Sequence, residues 1–157
     1  MKYCYNSIKS SKNGFTLIEL AVVVGIIATI TIVSFKGLLN MKLTMDLNRT
    51  ARQLEATLKN CQSKAMYTGS YYKMDFYPSL DRYRVYCETD LVQDNQLVNI
   101  NLHYTNFTNH KVYFYKTGVP SMGGTVTLKT NSGKTLYVIM TPVTARTRIS
   151  KTPPANW

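Results

Sequence analysis

The chain has 157 residues, 45% of them hydrophobic, 11% aromatic and 17% charged, and carries a formal charge of +11. With that apolar content and no low-complexity tract it can bury a core, so a disordered basic tail is excluded and one small domain with an appendage is expected. No Gly-rich phosphate loop is present, and the Gly123-Gly124 pair lies among strand-like segments, which argues against a nucleotide enzyme of the α/β kind.

The charge is concentrated at the ends. Residues 1–14 carry Lys2, Lys9 and Lys12 without an acid, while residues 15–94 hold all eight acids against nine bases. From Asn95 to Trp157 seven bases stand without an Asp or Glu.

Phe15 to Phe35 is an apolar run of 21 residues interrupted only by hydroxyls, Gly25 and one carboxylate, Glu19. At about 1.5 Å per residue a helix of that length covers roughly 30 Å, the thickness of a bilayer core. A small soluble domain has no means of surrounding a helix that is apolar on every side, so a membrane span is expected. The three leader lysines hold the N-terminus in the cytoplasm and send the rest of the chain outward. A secretory signal peptide fits less well, because the run exceeds the usual ~7–15 residues and no Ala-x-Ala follows it before Lys36.

The segment Gly14-Phe15-Thr16-Leu17-Ile18-Glu19-Leu20, behind a short basic leader and at the head of the span, resembles the class III signal of type IV pilins and type II secretion pseudopilins. The resemblance implies cleavage between Gly14 and Phe15 by a membrane-embedded prepilin peptidase, then methylation of the new Phe15 amine. Glu19 becomes the fifth residue of the mature chain, where the family carries its assembly glutamate. A carboxylate in a span costs about 2.5–3.5 kcal/mol at mid-membrane and normally has a partner. The resemblance supplies the Phe15 amine of a neighbouring subunit, or the chain's own before assembly; the alternative is a charge tolerated near the interface.

Beyond the span, Leu43, Leu47, Ala51, Leu54, Leu58, Cys61 and Ala65 recur at steps of three and four, and Gly69 stands where a helix ends. Lys42, Asp46, Arg49, Arg52, Glu55, Lys59 and Lys64 fill the solvated face. One helix of about fifty residues is expected, followed by period-two segments at 71–77, 82–88, 97–105, 111–116, 124–130, 135–141 and 143–150. Pro78-Ser79-Leu80-Asp81 and Asn131-Ser132-Gly133 read as turns.

The resulting class is α+β and pilin-like: a long N-terminal helix, one half in the membrane and one half packed, on antiparallel sheet. Its expected parts are a leader over 1–14, a membrane and assembly helix over 15–37, and a head over 38–157. That head consists of helix 38–68, sheet 71–150 and a mobile tail at 151–157.

The C-terminal half is similar to the GspH/FimT subgroup of minor pilins and pseudopilins in Phe114, Gly118, Pro120, Gly123-Gly124, Gly133 and Ala145-Arg146-Thr147-Arg148-Ile149. The subgroup usually has Gly where Ala145 stands. A Cβ tolerates positive φ poorly, so the bend implied by that Gly is in doubt here.

Cys4 falls in the leader, which leaves Cys61 and Cys87 facing an oxidising exterior. A Cys61–Cys87 bridge is favoured slightly over two buried thiols and would contribute about 3 kcal/mol. His103 and His110 have no Cys or later acid nearby to complete a metal shell or triad. Asp75, Asp81, Glu88, Asp90 and Asp94 read as strand-end or loop acids. Residues 88–95 read as a loop with no calcium-type spacing. No catalytic residue, metal or cofactor is expected.

Two functions fit. One is a structural minor pilin or pseudopilin that primes or caps a type IV pilus or type II secretion pseudopilus, with other pilins, the prepilin peptidase and the inner membrane as partners. The other is a pilus-tip DNA receptor for natural transformation, implied by the FimT branch. It would bind non-specifically through Arg146 and Arg148, about 7 Å apart on one strand face, aided by Lys151, Lys129 and Lys134. Tyr113, Tyr115, Tyr137 and Trp157 are candidates for base stacking, although tyrosines in strands are more often cross-strand core pairs.

Overall fold

The structure is a computed structural model and describes residues 15–154. The expected leader with Cys4 and Gly14, and the tail end with Trp157, lie outside the described residues. Helix α1 runs Leu17–Thr68, a stretch without proline. It ends at Gly69, whose φ of 65° suits a residue without a side chain and whose amide donates to the Ala65 carbonyl at 3.1 Å. By compactness the chain divides into two units, one ending at Leu39 and one beginning at Asn40.

In the first unit the apolar side chains from Phe15 to Ile32 are exposed all round. The helix containing them is long and apolar enough to cross a membrane.

The second unit holds two four-stranded antiparallel sheets. The first has β1 (Tyr72–Tyr77), β2 (Arg82–Cys87), β3 (Asp90–Gln96) and β5 (Lys111–Phe114) in the order β3-β2-β1-β5. The second has β4 (Ile100–Thr105), β6 (Gly124–Thr130), β7 (Thr135–Met140) and β8 (Thr147–Ser150) in the order β4-β6-β7-β8. The helix stripe at Leu47, Ala51, Leu54, Leu58, Cys61 and Ala65 is buried. It shares one core with Met74, Phe76, Tyr83 and Val85 of the first sheet and Leu102, Val126, Leu128 and Val138 of the second. One side-chain bond ties the first sheet's turn to the second sheet, Asp81 Oδ1 accepting from the Leu102 amide at 2.8 Å, and within the second sheet Asn106 Oδ1 accepts from the Thr125 amide at 2.7 Å.

The strand expectations need three corrections. Residues 88–95 are not a loop: Glu88 and Thr89 make a tight turn into β3, which pairs with β2 from Cys87↔Asp90 to Arg82↔Gln96. Strand 97–105 shortens to Ile100–Thr105, and 143–150 shortens to Thr147–Ser150 because residues 142–144 form a turn. The Pro78 turn is a short 3-10 helix closed by Asp81 at φ 47°.

The bend at residue 145 is present without glycine. Ala145 is buried at φ 52°, and Val143 two residues earlier has φ 70°. A left-handed conformation costs an L-residue about 1–2 kcal/mol, more readily carried when the surrounding packing fixes it. Gly123 and Gly124 are required by close approach rather than by φ. A Cβ on Gly123 would stand 2.6 Å from the Pro142 nitrogen, and one on Gly124 would stand 2.5 Å from the Phe107 ring.

Candidate functional site

The N-terminal site begins with a reciprocal pair. The Thr16 amide and hydroxyl donate to Glu19 Oε2 at 2.9 and 2.8 Å, and the Glu19 amide donates to Thr16 Oγ1 at 3.3 Å. This is a capping box, T-x-x-E, which satisfies backbone donors left open at a helix start. It aims the Glu19 carboxylate toward the beginning of the helix, the end at which Phe15 lies. The motif is legible as Thr16-Leu17-Ile18-Glu19, and Thr16 is the partner of Glu19 that sequence reasoning missed.

The predicted C-terminal bases fall into three places. Arg146 and Arg148 are exposed, alternating with buried Ala145 and Thr147, so they share one side of the chain; Arg146 precedes β8 and is not in the strand. Lys129, opposite Thr135, lies on the face of the second sheet that also carries Arg148, which is opposite Ile139. It lines a groove with His103, Tyr104, Thr127, Thr135 and Tyr137. Lys134 and Lys151 meet elsewhere, in a groove with Thr44, Leu47 and Asn48, where Lys134 Nζ donates to Thr44 Oγ1 at 2.7 Å. The five bases are therefore not one patch. His110, like His103, is at the surface.

A second missed residue is Gln62. Its amide nitrogen donates to the carbonyls of Gly118 at 3.0 Å and Thr144 at 3.3 Å, tying the loop after β5 and the loop before Arg146 to one helix position. Contacts spanning 56 and 82 residues leave no local signal in the sequence.

On the outer face of the first sheet, buried Asp75 holds Lys73 at 3.2 Å and Lys111 at 4.0 Å, and Asp94 holds Arg84 at 3.0 Å and Arg82 at 3.6 Å. Lys73 also sits 4.3 Å above the Tyr86 ring, and Arg84 lies 5.5 Å from that of Tyr77. The acids read as loop residues thus act as partners that fix cations on the sheet.

The slightly favoured Cys61–Cys87 bridge is not formed in the structure, where both are free thiols. Cys61 is buried in the helix stripe, and burial pushes its thiol up to about 12. Tyr72 stands beside both: its hydroxyl is raised first by a hydrogen bond with Cys87, then by burial, with a smaller contribution from Cys61. Because the folded Cys61 keeps its proton up to about pH 12 while an unfolded thiol loses it near 9.0, its contribution to stability is complete below that lower value. It is lost as pH climbs toward the upper one. At pH 8, maleimide should modify Cys87 rapidly and Cys61 only after unfolding; equal rates on mass-mapped peptides would contradict this burial.

Residues 9–35 match the family model described as the prokaryotic N-terminal methylation motif. The fold is similar to that of the minor pseudopilin EpsH from the type 2 secretion system of Vibrio cholerae, at a TM-score of 0.56 and 9% identity over 67% of this chain and 96% of that one. The chain carries this motif ahead of a pseudopilin-like α+β fold. No curated protein matches it by sequence. The methylation motif spans the Thr16–Glu19 box, and the long helix with antiparallel sheets is similar to the architecture of that pseudopilin.

Proposed function

We propose that the chain is a minor pilin or pseudopilin that is cut between Gly14 and Phe15, methylated on Phe15 and inserted at the end of a fibre, where it primes or caps assembly. The observation that carries this is the Glu19 carboxylate, held by Thr16 at the start of a helix whose apolar side chains up to Ile32 are exposed among the described residues. A charge so placed favours a cationic partner, and a free amine at Phe15 of an adjoining subunit is of the right sign and depth. The head lies outside the cytoplasmic membrane before assembly. The role is structural, and no residue is assigned to catalysis. Deleting the gene should reduce the number of fibres without shortening those that form; unchanged fibre counts would remove the priming role.

A second reading, a DNA receptor, is favoured by one observation: Arg146 and Arg148 are exposed on a common side in a C-terminal part without acids. Contacts of this kind recognise phosphates, not sequence, and weaken with salt. Replacing both arginines by alanine should abolish a duplex mobility shift at about 50 mM salt, leaving the circular dichroism spectrum unchanged. An unaltered shift in the double variant would exclude these arginines.

A further inference from the structure

Strand β5 alternates sharply. Val112 and Phe114 are fully buried, whereas Lys111, Tyr113 and Tyr115 turn outward, at steps of about 6.6 Å. Tyr71, just ahead of β1, joins Tyr113 and Tyr115 around a cavity of about 540 Å³ with Lys116 and Thr117 at its rim. The three tyrosines are 36%, 36% and 51% exposed as residues, the reverse of the cross-strand core pairing expected for strand tyrosines.

The cup is fixed in place. The Tyr113 amide donates to Ser121 Oγ at 3.1 Å and the Ser121 amide to the Tyr113 carbonyl at 2.7 Å, while the Tyr115 amide donates to the Val119 carbonyl at 3.0 Å. Gln62 then joins this loop, through Gly118, to Thr144, two residues before Arg146. Lys73 is opposite Tyr113 in register, but its ammonium is drawn to Asp75 and the Tyr86 ring. The backbone at Tyr71 is fixed by the Glu88 amide, which donates to the Tyr71 carbonyl at 3.0 Å.

We propose that Tyr71, Tyr113 and Tyr115 form a stacking receptor for unpaired bases, so that the arginine loop and this cup together take single-stranded nucleic acid. Aromatic rings at successive outward positions stack on bases of any sequence, and the cation at the rim, Lys116, meets the phosphates. A duplex offers its phosphates but keeps its base faces covered, so it reaches the arginines and not the rings. The inference rests on the reading of Arg146 and Arg148 as nucleic-acid contacts and adds the strandedness that this reading leaves open.

The test uses the mature full chain in detergent micelles, with fluorescence anisotropy of labelled oligothymidylate and of a hairpin duplex of equal charge. The single strand should bind at least about tenfold tighter. Tyr113→Ala with Tyr115→Ala should remove that preference while leaving duplex binding intact, and the paired Tyr→Phe variant should keep it. A 5-bromouracil-substituted strand should photocrosslink to Tyr113 or Tyr115 in the unaltered chain, a readout that no folding defect can imitate. Equal affinities, or tyrosine variants without effect, would overturn the cup and leave the arginine reading standing. Binding of neither probe would overturn both. A uronic-acid polymer that displaces the strand in a tyrosine-dependent way and binds more tightly would overturn the proposal in favour of an acidic glycan.

Discussion

Glu19→Ala is expected to eliminate the chain from sheared fibre fractions while leaving its amount in the membrane unchanged. A carboxylate at mid-span costs about 2.5–3.5 kcal/mol, so a free-standing glutamate in this run would be a burden with no return unless a cation meets it. The capping box complicates the comparison, because Glu19 also accepts the Thr16 amide and hydroxyl. Glu19→Gln separates the two roles, since glutamine serves equally as the last residue of such a box but carries no charge. Loss of incorporation in both variants assigns the effect to charge. Incorporation of the Gln variant alone would mean that Glu19 acts only as a cap.

Leu54→Ala should lower the stability of the head by about 2–5 kcal/mol, a large share of the 5–15 kcal/mol that holds a domain together. Leu54 is fully buried on the α1 stripe, within the core common to both sheets. Shortening it removes transfer free energy and opens a cavity that neighbours on a helix and two sheets are poorly able to fill. The thermal midpoint, followed by circular dichroism, should fall by about 10 °C or more. Leu91→Ala, on exposed β3, is the matched control and should move stability by no more than about 0.5 kcal/mol. Equal shifts for the two would contradict the assignment of the core.

The helix was legible because its apolar residues face a single core at a regular step, and its end because Gly69 can adopt a positive φ. Seven strands announced themselves by alternation, as 124–130 did to the residue. Strand β3 did not, since nearly every residue of Asp90–Gln96 is exposed on both faces and it has no buried side to alternate with. The Asp94 that suggested a loop is there to hold two arginines of β2. At Ala145 the doubt about the bend came from the residue's own preference, which packing overrode. The site was readable only in part. Thr16 and Glu19 lie within one turn and carry a written signature, whereas the tyrosine cup and the Gln62 tie depend on chain segments that meet only after folding.

The most direct test is the intact mass of the chain purified from its native membrane. Cleavage after Gly14 and a single methylation predict a species beginning at N-methylated Phe15, with a fragment series confirming the methyl group on that residue. A chain that still carries residues 1–14 would contradict the account at its root.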